Sequence, residues 1–132
     1  MKKLYKHEAL EWSNLFFLIP FIISISYGIY WYSIIIIIVF IISFDFHKFY
    51  EAKEVYYLDT MFSSFLMISN LYLLFKGHLA LPYSILAILC AFCALLFYLR
   101  KSKSNYYFNH SLWHIFSAGV CIFCLITFLT FI

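Results

Sequence analysis

His110 and His114 stand one helical turn apart in the run His110-Ser111-Leu112-Trp113-His114, inside a stretch apolar enough to cross a membrane. Ionisable side chains are rare and costly in such stretches, so they mark function by default. A third histidine, His47, and an acid, Asp59, fall near the ends of two other apolar stretches, and Ser43 precedes His47 by one turn. Three imidazoles with one open position make a catalytic zinc site, with zinc–nitrogen bonds of about 2.0–2.1 Å and water in the remaining position. Zinc lowers the pKa of that water toward about 7. On this reading His110 and His114 grip one ion from a single helix, and His47 closes the site from another. Asp59 takes the water's proton and returns it to the leaving group. Ser43 hydrogen-bonds the oxygen on which negative charge develops.

Each of these residues also has a plainer reading. A single buried histidine is commonly a satisfied polar group, and a histidine pair at i, i+4 arises by chance. A serine in a spanning helix often bonds its own backbone. What favours a site is the shared depth of all five, which depends on the elements that carry them.

Those elements are set by composition. The chain is 66% hydrophobic, 24% aromatic and only 11% charged over 132 residues. A soluble domain is typically about 45–50% apolar, so the solvent for this surface is lipid. The net charge of +3 resides in short loops rather than along one face, which argues against nucleic acid. A spanning helix needs about 20 mostly apolar residues. Five segments qualify, near 12–29, 33–50, 56–75, 82–99 and 106–131. The expected fold is therefore an all-α, polytopic membrane helix bundle of about five transmembrane helices, one integral membrane domain over 1–132. Pro20 predicts a kink in the first span. Gly28 with Tyr30-Trp31-Tyr32 predicts a tight turn at an aromatic interface belt. Pro82 suits the first turn of the fourth span.

The basic start, Met1 to Lys6, resembles a signal peptide, but Glu8, Glu11 and Asn14 interrupt the early apolar stretch and no small-residue cleavage site appears. It is read as leading into a retained first span. With five spans, the N-terminal side holds Lys2, Lys3, Lys6, Lys48, Lys53, Arg100, Lys101 and Lys103, and the opposite side holds only Lys76. The positive-inside rule then puts the N-terminus in the cytoplasm and the C-terminus outside. Ser43, His47, Asp59, His110 and His114 all fall on the cytoplasmic side at similar depth. Asp45, two residues from both Ser43 and His47, points to the other face. His78 stands on the opposite side, and His7 is read as a solvated terminal residue. The pairs Cys90-x2-Cys93 and Cys121-x2-Cys124 lie mid-span, where thiolates are costly, so they are read as apolar packing rather than metal ligands.

Ser43-x3-His47, then Asp59, then His110-Ser111-Leu112-Trp113-His114 resembles the CREST superfamily of integral membrane hydrolases, and most of all its alkaline ceramidases. Trp113 before the second histidine is similar to the ceramidase pattern, and Glu8, Trp12, Ser13 and Asn14 loosely match the stretch before the ceramidases' first span. The resemblance implies zinc on His47, His110 and His114, a water near Asp59, an oxyanion contact from Ser43, and hydrolysis of lipid amides such as ceramide. Two departures stand out. The family usually has seven spans against five here, and the short basic N-terminus lacks the acidic stretch that binds calcium in ceramidases.

The sequence thus predicts a zinc-dependent intramembrane hydrolase of a lipid amide or ester. Its expected partner is a membrane lipid substrate, with homo-oligomerisation as one way to thicken the cavity wall. The alternative is a non-enzymatic receptor or structural protein whose metal only ties helices together. Haem between histidines of two spans is a third option. A di-iron site needs more ligands than cluster here.

Overall fold

The computed structural model describes Glu8 and residues 10–49, 53–101, 103 and 105–132, with side chains at all of these except 46–49, 53, 55 and 56. His7 and the first lysines lie outside the described residues, as do the side chains of His47, Lys48 and Lys53.

Over the described residues the chain is an all-α bundle of five helices. They are α1 (Leu10–Ser26), α2 (Tyr30–Phe49), α3 (Lys53–Lys76), α4 (Tyr83–Arg100) and α5 (Tyr106–Phe131). Three segments are long and apolar enough to cross a membrane: Tyr57–Lys76, Tyr83–Arg100 and Tyr106–Phe131. The described apolar parts of the first two helices, Leu10–Ser26 and Tyr30–Asp45, are shorter. Helix is the expected outcome even for the β-branched run Ile34 to Ile38. In hydrocarbon each backbone N–H and C=O must find its partner within the segment. Large side chains such as Ile22, Ile34, Phe65, Ile68, Ile88 and Phe92 are exposed around the outside, as a lipid-facing surface requires.

Three local features refine the expectations. Just ahead of Pro20, where the sequence predicts a kink, the helix tightens into a 3₁₀ turn at Leu15–Phe17. Proline has no N–H for the carbonyl four residues back, and a tighter turn before it absorbs the mismatch. The turn expected at Gly28 forms at Tyr27 and Gly28, with Gly28 at φ 74°, whereas Tyr30, Trp31 and Tyr32 already belong to α2. Tyr32 then lies inside α2, fully buried, and its hydroxyl donates to Asn70 Oδ1. Pro82 caps α4 rather than occupying its first turn.

The core runs through Tyr32, Ile36, Leu73, Ala118, Cys121 and Leu125. Polar side chains tie helices together within it. Ser24 Oγ lies 2.6 Å from Ser33 Oγ across the α1–α2 corner. Asn70 Nδ2 on α3 donates to Cys121 Sγ on α5 at 3.5 Å. The most extensive packing is between α4 and α5. Small residues permit that close approach: Ala87, Ala94 and Ala118 are buried, and Gly119 stands against Cys90 Sγ.

At the opposite end from the histidine pair, Gly77 closes α3 directly against the backbone of α5. A Cβ there would meet the Thr127 carbonyl oxygen at 2.6 Å. Backbone cannot swing aside as a side chain can. Gly77→Ala is therefore expected to destabilise the bundle by about 1–3 kcal/mol, the usual cost of overpacking. A lower thermal midpoint in detergent, by intrinsic fluorescence, checks this; an unchanged midpoint would mean that α3 and α5 are further apart.

Candidate functional site

α5 brings His110 and His114 onto one face near its start, because residues four apart on a helix are neighbours. Both are buried. Their ring centroids are 4.7 Å apart with planes at 88°. Trp113 lies beside both rings, at 5.0 Å from His110 and 5.3 Å from His114, and Tyr106 stands 5.2 Å from His110. α1 also contributes neighbours of His114. Phe17 meets it edge-on at 6.4 Å, and Ser13 Oγ lies 3.0 Å from its Nδ1. The same Ser13 hydroxyl donates to the Leu10 carbonyl at 2.9 Å.

The two histidines form part of the wall of a cavity of about 510 Å³. α3 and α4 are consecutive in the chain but have little contact with each other, and both pack on α5. The cavity lies where α3, α4 and α5 meet, with Phe17 of α1 and Val39 and Ser43 of α2 also in its lining. Asp59, Thr60, Ser63 and Ser64 line it from the start of α3, and Ala91, Ala94 and Tyr98 from α4. Thr60, Ser64, Ala91 and Tyr98 are also exposed, so the cavity opens sideways at the outer surface of the bundle. The α3 wall runs from Asp59 to Asn70. At about 1.5 Å per residue that is about 16 Å, half the hydrocarbon thickness of a bilayer. The end near Asp59 is polar, and the part farther along α3 is lined mostly by apolar side chains such as Leu66, Met67 and Val120, with Asn70 at its far end.

Ser43 from α2, Asp59 from α3, and His110 and His114 from α5 all line this one cavity. Ser43 is buried and Asp59 half-buried. His47 belongs to α2, one turn beyond Ser43, with its side chain outside the described part. Asp45 is exposed, and His78 lies in the Gly77–Pro82 connection with its ring 4.0 Å from that of Phe131. Cys121 and Cys124 are buried in the core, and Cys90 and Cys93 are half-buried. Among the described residues, no three of His, Cys, Asp and Glu gather closely enough to hold a metal ion. The donors present are nonetheless of the type zinc takes. Two adjacent imidazoles share a wall, one of them has an oxygen partner on a ring nitrogen, and a carboxylate lines the same space.

Two residues gain a place here that their sequence context did not mark. Lys101, which the sequence shows only as a loop charge, lines the cavity just past α4. Its ammonium stands 4.1 Å from the Tyr98 ring and 4.9 Å from the Trp113 ring. Burial pulls its pKa below the ordinary lysine value, and the nearby Asp59 carboxylate acts in the opposite direction. A base just after one span and an acid just inside another, on the same side, was the available signal. Ser13 is the second, and its only signal was membership of the Glu8 to Asn14 stretch. Comparison with family models, with curated proteins and with solved structures finds no match to the chain.

Proposed function

We propose that this protein is a zinc-dependent intramembrane hydrolase acting on a lipid amide or ester, of the CREST type and ceramidase-like in its chemistry. The observation that carries the reading is the meeting of Ser43, Asp59, His110 and His114, from three helices, on the wall of one cavity. Nothing local requires that convergence, because the residues are scattered between positions 43 and 114. The cavity's size falls within the range of about 300–1,000 Å³ typical of small-molecule sites. Its polar end suits a headgroup with the scissile carbonyl, and its apolar depth suits a chain. The sideways opening between α3 and α4 gives a lipid a path that avoids water.

His110, His114 and His47 are the residues to hold the zinc. When bound, zinc supplies Lewis acidity toward a carbonyl and makes water acidic near neutral pH. Asp59 takes a proton from the attacking water on its carboxylate and passes it to the departing amine or alcohol. The products are a fatty acid and that amine or alcohol. The Ser43 hydroxyl donates to the oxygen that gains negative charge. Lys101 stands near Asp59 at the polar end. In the cell the site faces the cytoplasmic leaflet, in keeping with the bias of Lys and Arg toward that side.

The full chain purified without added metal and placed in lipid nanodiscs is expected to hold about one zinc per chain, as a three-histidine site with one open position does. A panel of ceramides, other N-acyl lipids and acyl esters is then expected to give metal-dependent release of fatty acid. Zinc without turnover on any lipid would favour the purely structural role. A haem absorption band in place of zinc would displace both.

A further inference from the structure

The hydroxyl of Ser13 has one proton to give. It has two polar neighbours, the Leu10 carbonyl at 2.9 Å and His114 Nδ1 at 3.0 Å. A carbonyl oxygen can only accept, so a contact of 2.9 Å is a hydrogen bond only if Ser13 donates to it. With the proton given to Leu10, the serine oxygen faces His114 as an acceptor, and the partner that matches it is an Nδ1 that carries the hydrogen. In a neutral imidazole the lone pair is left on Nε2.

We propose that Ser13 is a positioning residue that holds His114 as its Nδ1–H tautomer, so that the ring's lone pair, the donor a metal takes, is on Nε2. This rests on the zinc reading above and deepens it. α1 contributes none of the residues that would hold the metal or move a proton, yet it sets the tautomer and the ring angle of one ligand. The geometry supports a fixed partner rather than a passing contact. Ser13 is buried, and its own helix anchors it through Leu10. Phe17, one turn further along α1, meets the ring of His114 edge-on. Metal-binding histidines almost always donate their second ring N–H to an oxygen, and losing that partner typically weakens metal binding about 10–100-fold.

The test uses the full chain in nanodiscs with labelled histidine, stripped of metal by a chelator, with the His114 signals assigned by their loss in His114→Gln. Carbon and nitrogen chemical shifts should report a neutral ring with hydrogen on Nδ1. Ser13→Ala should shift the ring toward the Nε2–H form and weaken zinc binding about 10–100-fold in competition with a chromophoric chelator. Ser13→Thr, which keeps the hydroxyl, should restore both. An Nε2–H or doubly protonated ring in the unsubstituted protein would overturn the proposal, and that measurement needs no variant to fold. So would a Ser13→Ala protein with unchanged tautomer and zinc affinity. If the unsubstituted protein binds no zinc but shows the Nδ1–H ring, the hydrolase reading fails and the role of Ser13 in setting the tautomer stands.

Discussion

Replacing His110 and His114 together by alanine is expected to remove zinc from the protein entirely. The two rings sit 4.7 Å apart on one turn of α5 and supply two of the three nitrogen donors of the proposed site. Loss of both leaves His47 alone, and one imidazole does not hold zinc against a chelator. Metal analysis after purification reads the loss directly. A thermal melt gives an independent reading, because a ligand present at about 100 times its dissociation constant stabilises the folded form by about 2.7 kcal/mol. Added zinc should therefore raise the melting midpoint of the unsubstituted protein and leave that of the double variant where it was. His110→Gln with His114→Gln repeats the test with less disturbance, since a polar side chain of similar reach replaces each ring. Zinc retained by both double variants would end the metal assignment.

The second large effect is expected from Asp59→Asn. A carboxylate inside a spanning helix is costly, and such residues face a cavity or a partner when they occur. Asp59 does both, lining the cavity and lying close enough to Lys101 for the two to interact electrostatically. Asparagine keeps the shape and hydrogen-bonding capacity but cannot take a proton from water. A positioned general base contributes about 10²–10⁴-fold, so turnover of the best lipid substrate should fall by that factor. Zinc content and folding should stay unchanged. Parallel measurement of fatty-acid release and bound metal separates the two roles. Full activity in the variant would remove Asp59 from the mechanism, and loss of zinc would make it a ligand instead.

Much of the architecture was legible because it is local. A long apolar segment in lipid has to be helical, so Tyr83–Arg100 and Tyr106–Phe131 emerge within a residue of the sequence-based bounds. The histidine pair was legible for the same reason, since spacing along one helix fixes which side chains are neighbours. Tyr32 shows where this stops. Its neighbours Tyr30 and Trp31 gave it the look of an interface aromatic, but its hydroxyl is satisfied by Asn70 on another helix. No local pattern carries that information.

Composition by itself determined that this protein is a bundle of apolar helices, and the spacing of His110 and His114 that they share one face of the last of them. Only the tertiary structure decided that α3 and α4, adjacent in the chain, stand apart to leave a cavity between them, and that Ser13 reaches His114 across 101 residues of sequence. The reason is physical. Helix formation satisfies the backbone within each segment, and it is indifferent to which helices then become neighbours. That choice is made by side-chain packing between segments: small residues where α4 meets α5, the contact of Gly77 with Thr127, and the few buried polar groups that must find partners.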